Sequence, residues 1–172
     1  WQGQNVHYKV FHWWENANND EYSFHESSDA TGTAGTMTAA TAKSYEGFTA
    51  KAVSQQVIEG DGTTIVNIYY DRIEYSVKFY KKTSSWSSSW SEIENLRITA
   101  KYGADIADQW PSDYARIWHT WDEEVYQSGI STMPLNGVSF KYVAQSGDYT
   151  MRLYYYTEVL QGETGTKQYN GK

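Results

Sequence analysis

Hydrophobic and polar residues alternate along many short segments of the chain, which is the pattern of β-strands that bury one face. Turn residues such as those at 59–62 separate these segments, and no long stretch repeats every 3.6 residues. The pattern predicts an α+β protein that is strongly β-rich. The predicted strands cover residues 6–11, 21–26, 36–39, 50–58, 63–70, 75–80, 96–101, 116–121, 138–143 and 150–155.

Two short helices are predicted between the strands. Residues 40–45 can form one or two helical turns, ended by Gly47. Residues 103–110 suit a second short helix that Pro111 ends, with Ile106 and Trp110 facing inward.

The order strand, strand, short helix, strand, strand occurs twice. Residues 8–11 match residues 75–78, and residues 68–70 match residues 153–155. The connection between the halves is too short to be a flexible linker, so we expect the two units to stack end to end. The predicted boundaries are 1–73 for the first unit, 74–160 for the second, and 161–172 for a polar tail or the start of a further unit.

Turn glycines and core aromatics form motifs at 38–39, 42–49, 61–64, 68–72, 75–79 and 101–103. These motifs resemble the internalin-type B-repeat and mucin-binding-repeat modules of Gram-positive surface proteins. They match well over residues 6–80 and less well over 75–160. The resemblance implies β-grasp-like modules, each a small sheet crossed by one short helix, displayed extracellularly in an array with neighbouring repeats. This chain would then be a fragment of a wall-anchored parent.

Composition excludes several classes of protein. The chain has 172 residues, a net charge of −7 and no cysteine. Its acidity argues against a nucleic-acid partner, which needs clustered Lys and Arg. The absence of cysteine excludes disulfides, thiol catalysis and cysteine-based zinc sites. The sequence contains no apolar run of 18 residues, so we expect no membrane insertion.

No residue constellation predicts an enzyme, a metal site or a cofactor. The four histidines lack zinc-binding spacing. Residues 16–20 offer oxygens at alternate positions but lack the glycine and glutamate of a calcium loop, so a turn explains them equally well. The acidic run 122–124 is typical of a solvated loop.

Aromatic residues are the informative feature, with 16 Tyr and 8 Trp. Trp13 and Trp14 are adjacent, so in a strand one of them faces outward. Large aromatic side chains anchor protein interfaces and stack on sugars, although each Trp has the alternative of packing over the end of a sheet. The candidate ligand-binding residues lie in a serine-rich segment and a second insertion: Trp86, Trp90, Trp118, Trp121 and Tyr126.

These observations predict a non-enzymatic binding region that contacts a secreted host protein or glycoprotein of the mucin or immunoglobulin type. Two alternatives stay open. The first alternative is a passive stalk that projects a distant adhesin, and the second is a carbohydrate-binding accessory module.

Overall fold

The computed structural model describes residues 3–82, 86–111, 116–126 and 128–144, which form two β-sheets. The strongly β-rich character predicted from the sequence is confirmed. The first sheet contains β1 (Asn5–Glu15), β2 (Tyr22–Thr33), β3 (Phe48–Ala50) and β4 (Ile65–Arg72). The second contains β5 (Glu74–Lys82), β6 (Trp90–Glu92), β7 (Ile98–Lys101), β8 (Arg116–His119) and β9 (Val138–Ala144).

The strand pairing follows one plan in both sheets. The first sheet has the order β2-β1-β4-β3, and the second has the order β6-β5-β9-β8 with β7 also paired to β5. The central pair is parallel in each case, β1 with β4 and β5 with β9, and the flanking strands are antiparallel. Val10 pairs with Val66 in the first sheet, and Val77 pairs with Val138 in the second.

Each sheet buries one face over its own core, because alternate residues of a strand point to the same side. In the first sheet the inward residues of the central pair are Tyr8, Val10, His12, Val66, Ile68 and Tyr70. In the second sheet they include Val77 and Phe79 of β5 and Phe140 of β9. The second core is completed by Ile98, Ile106, Trp118 and Met133.

The predicted helix over residues 40–45 does not form. Hydrogen bonds from distant side chains satisfy the backbone groups of this segment instead. The Gln55 amide binds both the N–H and the C=O of Ala40, at 3.0 and 2.8 Å. The Tyr70 hydroxyl accepts a hydrogen bond from the Lys43 N–H at 2.9 Å. Residues 38–45 are therefore held in a non-helical conformation against the first core.

The second predicted helix is reduced to a 3₁₀ turn. It covers Ala107–Gln109, within the predicted 103–110, and another 3₁₀ turn covers Glu94–Leu96. Ile106 is buried and Trp110 packs against the second core, as predicted for the inward residues. None of the helical segments in the described residues is long and apolar enough to cross a membrane.

Part of the predicted internal repeat lies outside the described residues. The predicted counterpart of residues 68–70, residues 153–155, lies outside the described residues, as does the predicted strand at 150–155. The strand that pairs in parallel with β5, as β4 does with β1, is β9. The predicted strand at 50–58 is wrong, since β3 is Phe48–Ala50 and among residues 51–58 only Val57 forms a bridge, with Met37.

The two sheets contact each other directly, since only Ile73 separates β4 from β5. Arg72 donates from Nε to the Glu15 carbonyl at 2.7 Å and from Nη1 to the Tyr102 carbonyl at 2.8 Å. Lys101 of the second sheet binds the carboxylates of Glu15 and Asp20, at 2.7 and 2.6 Å. These bonds make a polar junction between the two cores.

A glycine and a tyrosine fit together at the same junction. Gly47 has a φ of +80°, and a Cβ on it would lie 2.4 Å from the Tyr102 ring. The residue therefore has to be glycine both for its backbone conformation and for the space that Tyr102 takes. The guanidinium of Arg72 lies 4.8 Å from the centre of the Phe48 ring, which closes the junction on its apolar side.

Candidate binding surface

The five predicted ligand-binding residues divide between the surface and the core. Trp86 is 98 % exposed and Trp121 is 50 % exposed, while Trp90 is half-buried. Trp118 is only 2 % exposed, and Tyr126 packs against the second core. Trp118 is therefore closed to a ligand, while the other four residues keep some exposed surface.

Trp118 corrects the predicted exposure. It lies on β8 opposite Tyr142 of β9, and the alternation of the strand points it inward. Its ring makes an edge contact with Phe79 at 4.7 Å between centroids. Tyr126 makes a similar contact with Phe140 at 5.1 Å, and its hydroxyl donates to Glu124 at 3.1 Å. Trp118 is therefore part of the core, while Tyr126 is half-buried against it.

Tyr80, Trp90 and Trp121 form an aromatic cluster on the outer face of the second sheet, which we call the tryptophan surface. The Trp121 ring lies 5.4 Å from Tyr80 and 5.7 Å from Trp90, measured between centroids. Tyr80 points outward because its neighbour on β5, Phe79, points into the core. Trp86 lies in the segment that leads from β5 to β6, four positions before Trp90.

Lysine side chains accompany these rings. The Lys82 ammonium lies 5.6 Å from the centre of the Trp90 ring, and the Lys141 ammonium lies 5.9 Å from both Trp90 and Trp121. Lys141 also donates a hydrogen bond to Glu123, which lowers the pKa of that carboxyl group. An ammonium this close to an aromatic face is attracted by the ring electrons, so the lysines help to hold the indoles in position.

The outer face of the first sheet carries an aromatic array that the sequence analysis did not identify. Trp13 faces outward and Trp14 packs against the first core, so one of the two faces out as predicted. The array is a chain of ring contacts in which centroids lie 5.0 to 6.3 Å apart, running through Phe11, Phe24, Trp13, Tyr69 and Tyr22. Phe11, Trp13 and Tyr69 occupy outward positions of β1 and β4, so the array could have been predicted by comparing the outward positions of these two strands.

The polar groups around the first-sheet array are mutually satisfied. Lys9 pairs with Asp29 at 2.7 Å, and Lys51 pairs with Asp71 at 3.2 Å. The Trp13 indole N–H donates to the Asn67 side chain at 2.8 Å. This face is therefore apolar in the centre and electrically balanced at its rim.

The turn at residues 16–20 works as a structural turn and as part of the junction. The Asn19 side chain accepts from the Glu21 N–H at 2.9 Å, and Asn18 accepts from the Asp105 N–H at 2.9 Å. Asp20 is paired with Lys101. Within the described parts of the chain, no three His, Cys, Asp or Glu residues are grouped so that they would hold a metal ion.

Comparison with protein-family models and with curated proteins gives no match to this chain.

Proposed function

We propose that this chain is a non-enzymatic binding region of a bacterial cell-surface protein, which contacts a secreted host protein of the mucin or immunoglobulin type. The proposal is carried by one observation, the exposure of Trp90 and Trp121 side by side on one sheet face with Trp86 nearby in the chain. Indole rings bury a large area at little cost in rotamer entropy, so they commonly supply most of the affinity of an interface.

We further propose that the two sheets are tandem β-grasp-like modules, in which residues 1–73 and 74–160 are two versions of one unit. The shared strand order supports this, and so does a matching pair of loops after β2 and β7. In the first loop the Gly35 N–H donates to the Ile58 carbonyl, and the Ile58 N–H donates to the carbonyl of the residue after Gly35. In the second loop Gly103 and Met133 are bonded in the same way. Both glycines have positive φ, at +84° and +75°. A cell-surface location and a wall-anchored parent follow from the sequence resemblance alone.

The test is capture of proteins from serum and mucosal secretions on immobilised protein, followed by affinity measurement with the purified partner. Replacing Trp90→Ala and Trp121→Ala together should weaken binding by several hundredfold, since each buried indole anchor is worth roughly 2 kcal/mol or more and about 1.4 kcal/mol is tenfold. The matched control replaces Met37→Ala and Val57→Ala, which are exposed apolar residues that bridge each other outside the strands. Undiminished binding by the tryptophan variant would refute the proposed surface.

A passive stalk is the second candidate, and the direct junction between the sheets favours it. A spacer has to keep its modules aligned, and Arg72 and Lys101 do so through hydrogen bonds to main-chain and carboxylate oxygens. The stalk predicts that no host fraction is captured. A partner that is lost after its glycans are removed would instead favour a carbohydrate-binding accessory module.

A further inference from the structure

The outer face of the second sheet carries a row of cations beside the tryptophan surface. Alternate residues of β5 point outward, and this row begins with the exposed Glu74 and continues through Ser76, Lys78, Tyr80 and Lys82. Lys141 of β9 lies opposite Tyr80 in the sheet. A chain whose net charge is −7 thus carries three lysines on this face, of which Lys82 and Lys141 lie beside the indoles, at 5.6 and 5.9 Å.

Within the described residues, two of these lysines form no salt bridge. Of the carboxylates on this face, Glu92 pairs with Arg97 at 2.6 Å, Glu123 pairs with Lys141, and Glu74 lies four positions before Lys78 on β5. In the ranges of the chain that the structure describes, no carboxylate lies within salt-bridge distance of Lys78 or Lys82. Their charges remain available to an anionic ligand.

The fold does not require lysine at positions 78 and 141. The inward pairs Val10–Val66 and Val77–Val138, of which Val138 is partly buried, bring the two sheets into register. In that register Lys78 corresponds to Phe11, which is aromatic. Likewise Lys141 corresponds to Tyr69, while Tyr80 corresponds to Trp13. The same face is thus aromatic and balanced in the first sheet but aromatic and cationic in the second.

We propose that the tryptophan surface binds an acidic, extended polypeptide segment, an inference that rests on the proposed function and specifies its partner. Carboxylates of the segment would pair with Lys78 and Lys82 while its apolar groups cover Trp90 and Trp121. The two lysines lie about 13 Å apart along β5, since a strand advances roughly 3.3 Å per residue. One sugar carboxylate does not span this distance, whereas acidic side chains four residues apart in an extended segment match it.

The experiment uses the full chain and a short synthetic peptide in which Glu alternates with Thr, compared with the same peptide carrying Gln for Glu. Binding is followed by the change in tryptophan fluorescence. We expect the Glu peptide alone to bind, with affinity falling steeply as salt is added. The double variant Lys78→Gln/Lys82→Gln should bind it about tenfold more weakly. The control Lys9→Gln/Lys51→Gln removes the same amount of positive charge from the other sheet.

Each outcome decides the matter. Equal weakening in both double variants, no binding of the Glu peptide, or preferential binding of a sulfated oligosaccharide would overturn the inference. If capture of the host protein depends on Trp90 and Trp121 but not on Lys78 and Lys82, the inference is wrong while the proposed function stands. If the peptide binds as expected and no host protein is captured, the proposed function is wrong and the acidic-ligand site stands.

Discussion

At the scale of single residues, His12 is the least expected member of the first core. It is 1 % exposed, and its ring nitrogens lie 2.8 Å from the Tyr70 hydroxyl and 3.3 Å from the Ser28 hydroxyl. Burial and the nearby charge of Lys43 lower the pKa of the imidazole, and the opposing attraction of Glu26 is weaker. The folded protein therefore keeps His12 neutral at a pH where the unfolded chain already binds a proton.

This linkage makes stability depend on pH. Because the pKa of His12 is lowered on folding, its contribution is complete above the unfolded value of 6.5 and is lost as the pH falls below it. We expect the free energy of unfolding in urea to fall between about pH 7 and pH 5. His12→Gln should remove most of that slope, and a variant with an unchanged slope would contradict this role.

Aromatic residues also show that alternation along a strand does not predict which of its two faces is buried. The alternation of a strand predicts that Trp13 and Trp14 take opposite faces, and they do. It does not say which face is buried. Alternation alone therefore did not show that Trp118 on β8 points into the core. Facing direction depends on the partner strand, in this case β9, and no local pattern specifies that partner.

At the scale of elements, hydrogen bonds from Gln55 hold the segment 38–45 in its non-helical conformation. The Gln55 amide binds the Ala40 N–H and C=O, and its side-chain oxygen accepts from the Thr38 hydroxyl at 2.7 Å. Local sequence favours a helical turn here because alanine and lysine are good helix formers. Contacts from residues 15 or more positions away override that preference, so the local sequence predicts the wrong conformation for this segment.

Gln55→Ala should therefore lower the free energy of unfolding by about 1–3 kcal/mol, because it leaves partly buried backbone groups unpaired. Hydrogen exchange at the Ala40 amide should accelerate by more than the global loss of stability explains. Gln56→Ala is the matched control, since Gln56 is exposed and its side chain makes only a 3.3 Å bond to the Ser54 carbonyl. Equal effects of the two substitutions would exclude the bracing role of Gln55.

At the scale of the whole molecule, the sequence predicted two similar halves and a short connection between them. It did not predict that the central strands of each sheet are parallel, nor that β9 would pair with β5. Parallel pairing joins residues far apart in the chain, such as Val10 and Val66, and period-2 alternation carries no information on strand direction. The junction residues were missed for a similar reason, since their partners lie in the other sheet.

The junction itself can be tested through Arg72. Lysine would keep the charge but would not supply both the Nε bond to Glu15 and the Nη1 bond to Tyr102. We expect Arg72→Lys to lower the free energy of unfolding by about 2 kcal/mol and to separate the melting of the two sheets in calorimetry. Arg97→Lys, at an exposed pair with Glu92, is the control. A single, unshifted transition in Arg72→Lys would show that the sheets are not coupled through this residue.

The parallel pairing of β1 with β4 has a mechanical consequence. The chain enters the first sheet at the start of β1 and passes on to β5 from the end of β4, which runs in the same direction. Tension along the backbone therefore slides these two strands past each other instead of peeling them apart. The hydrogen bonds between them therefore carry the load together.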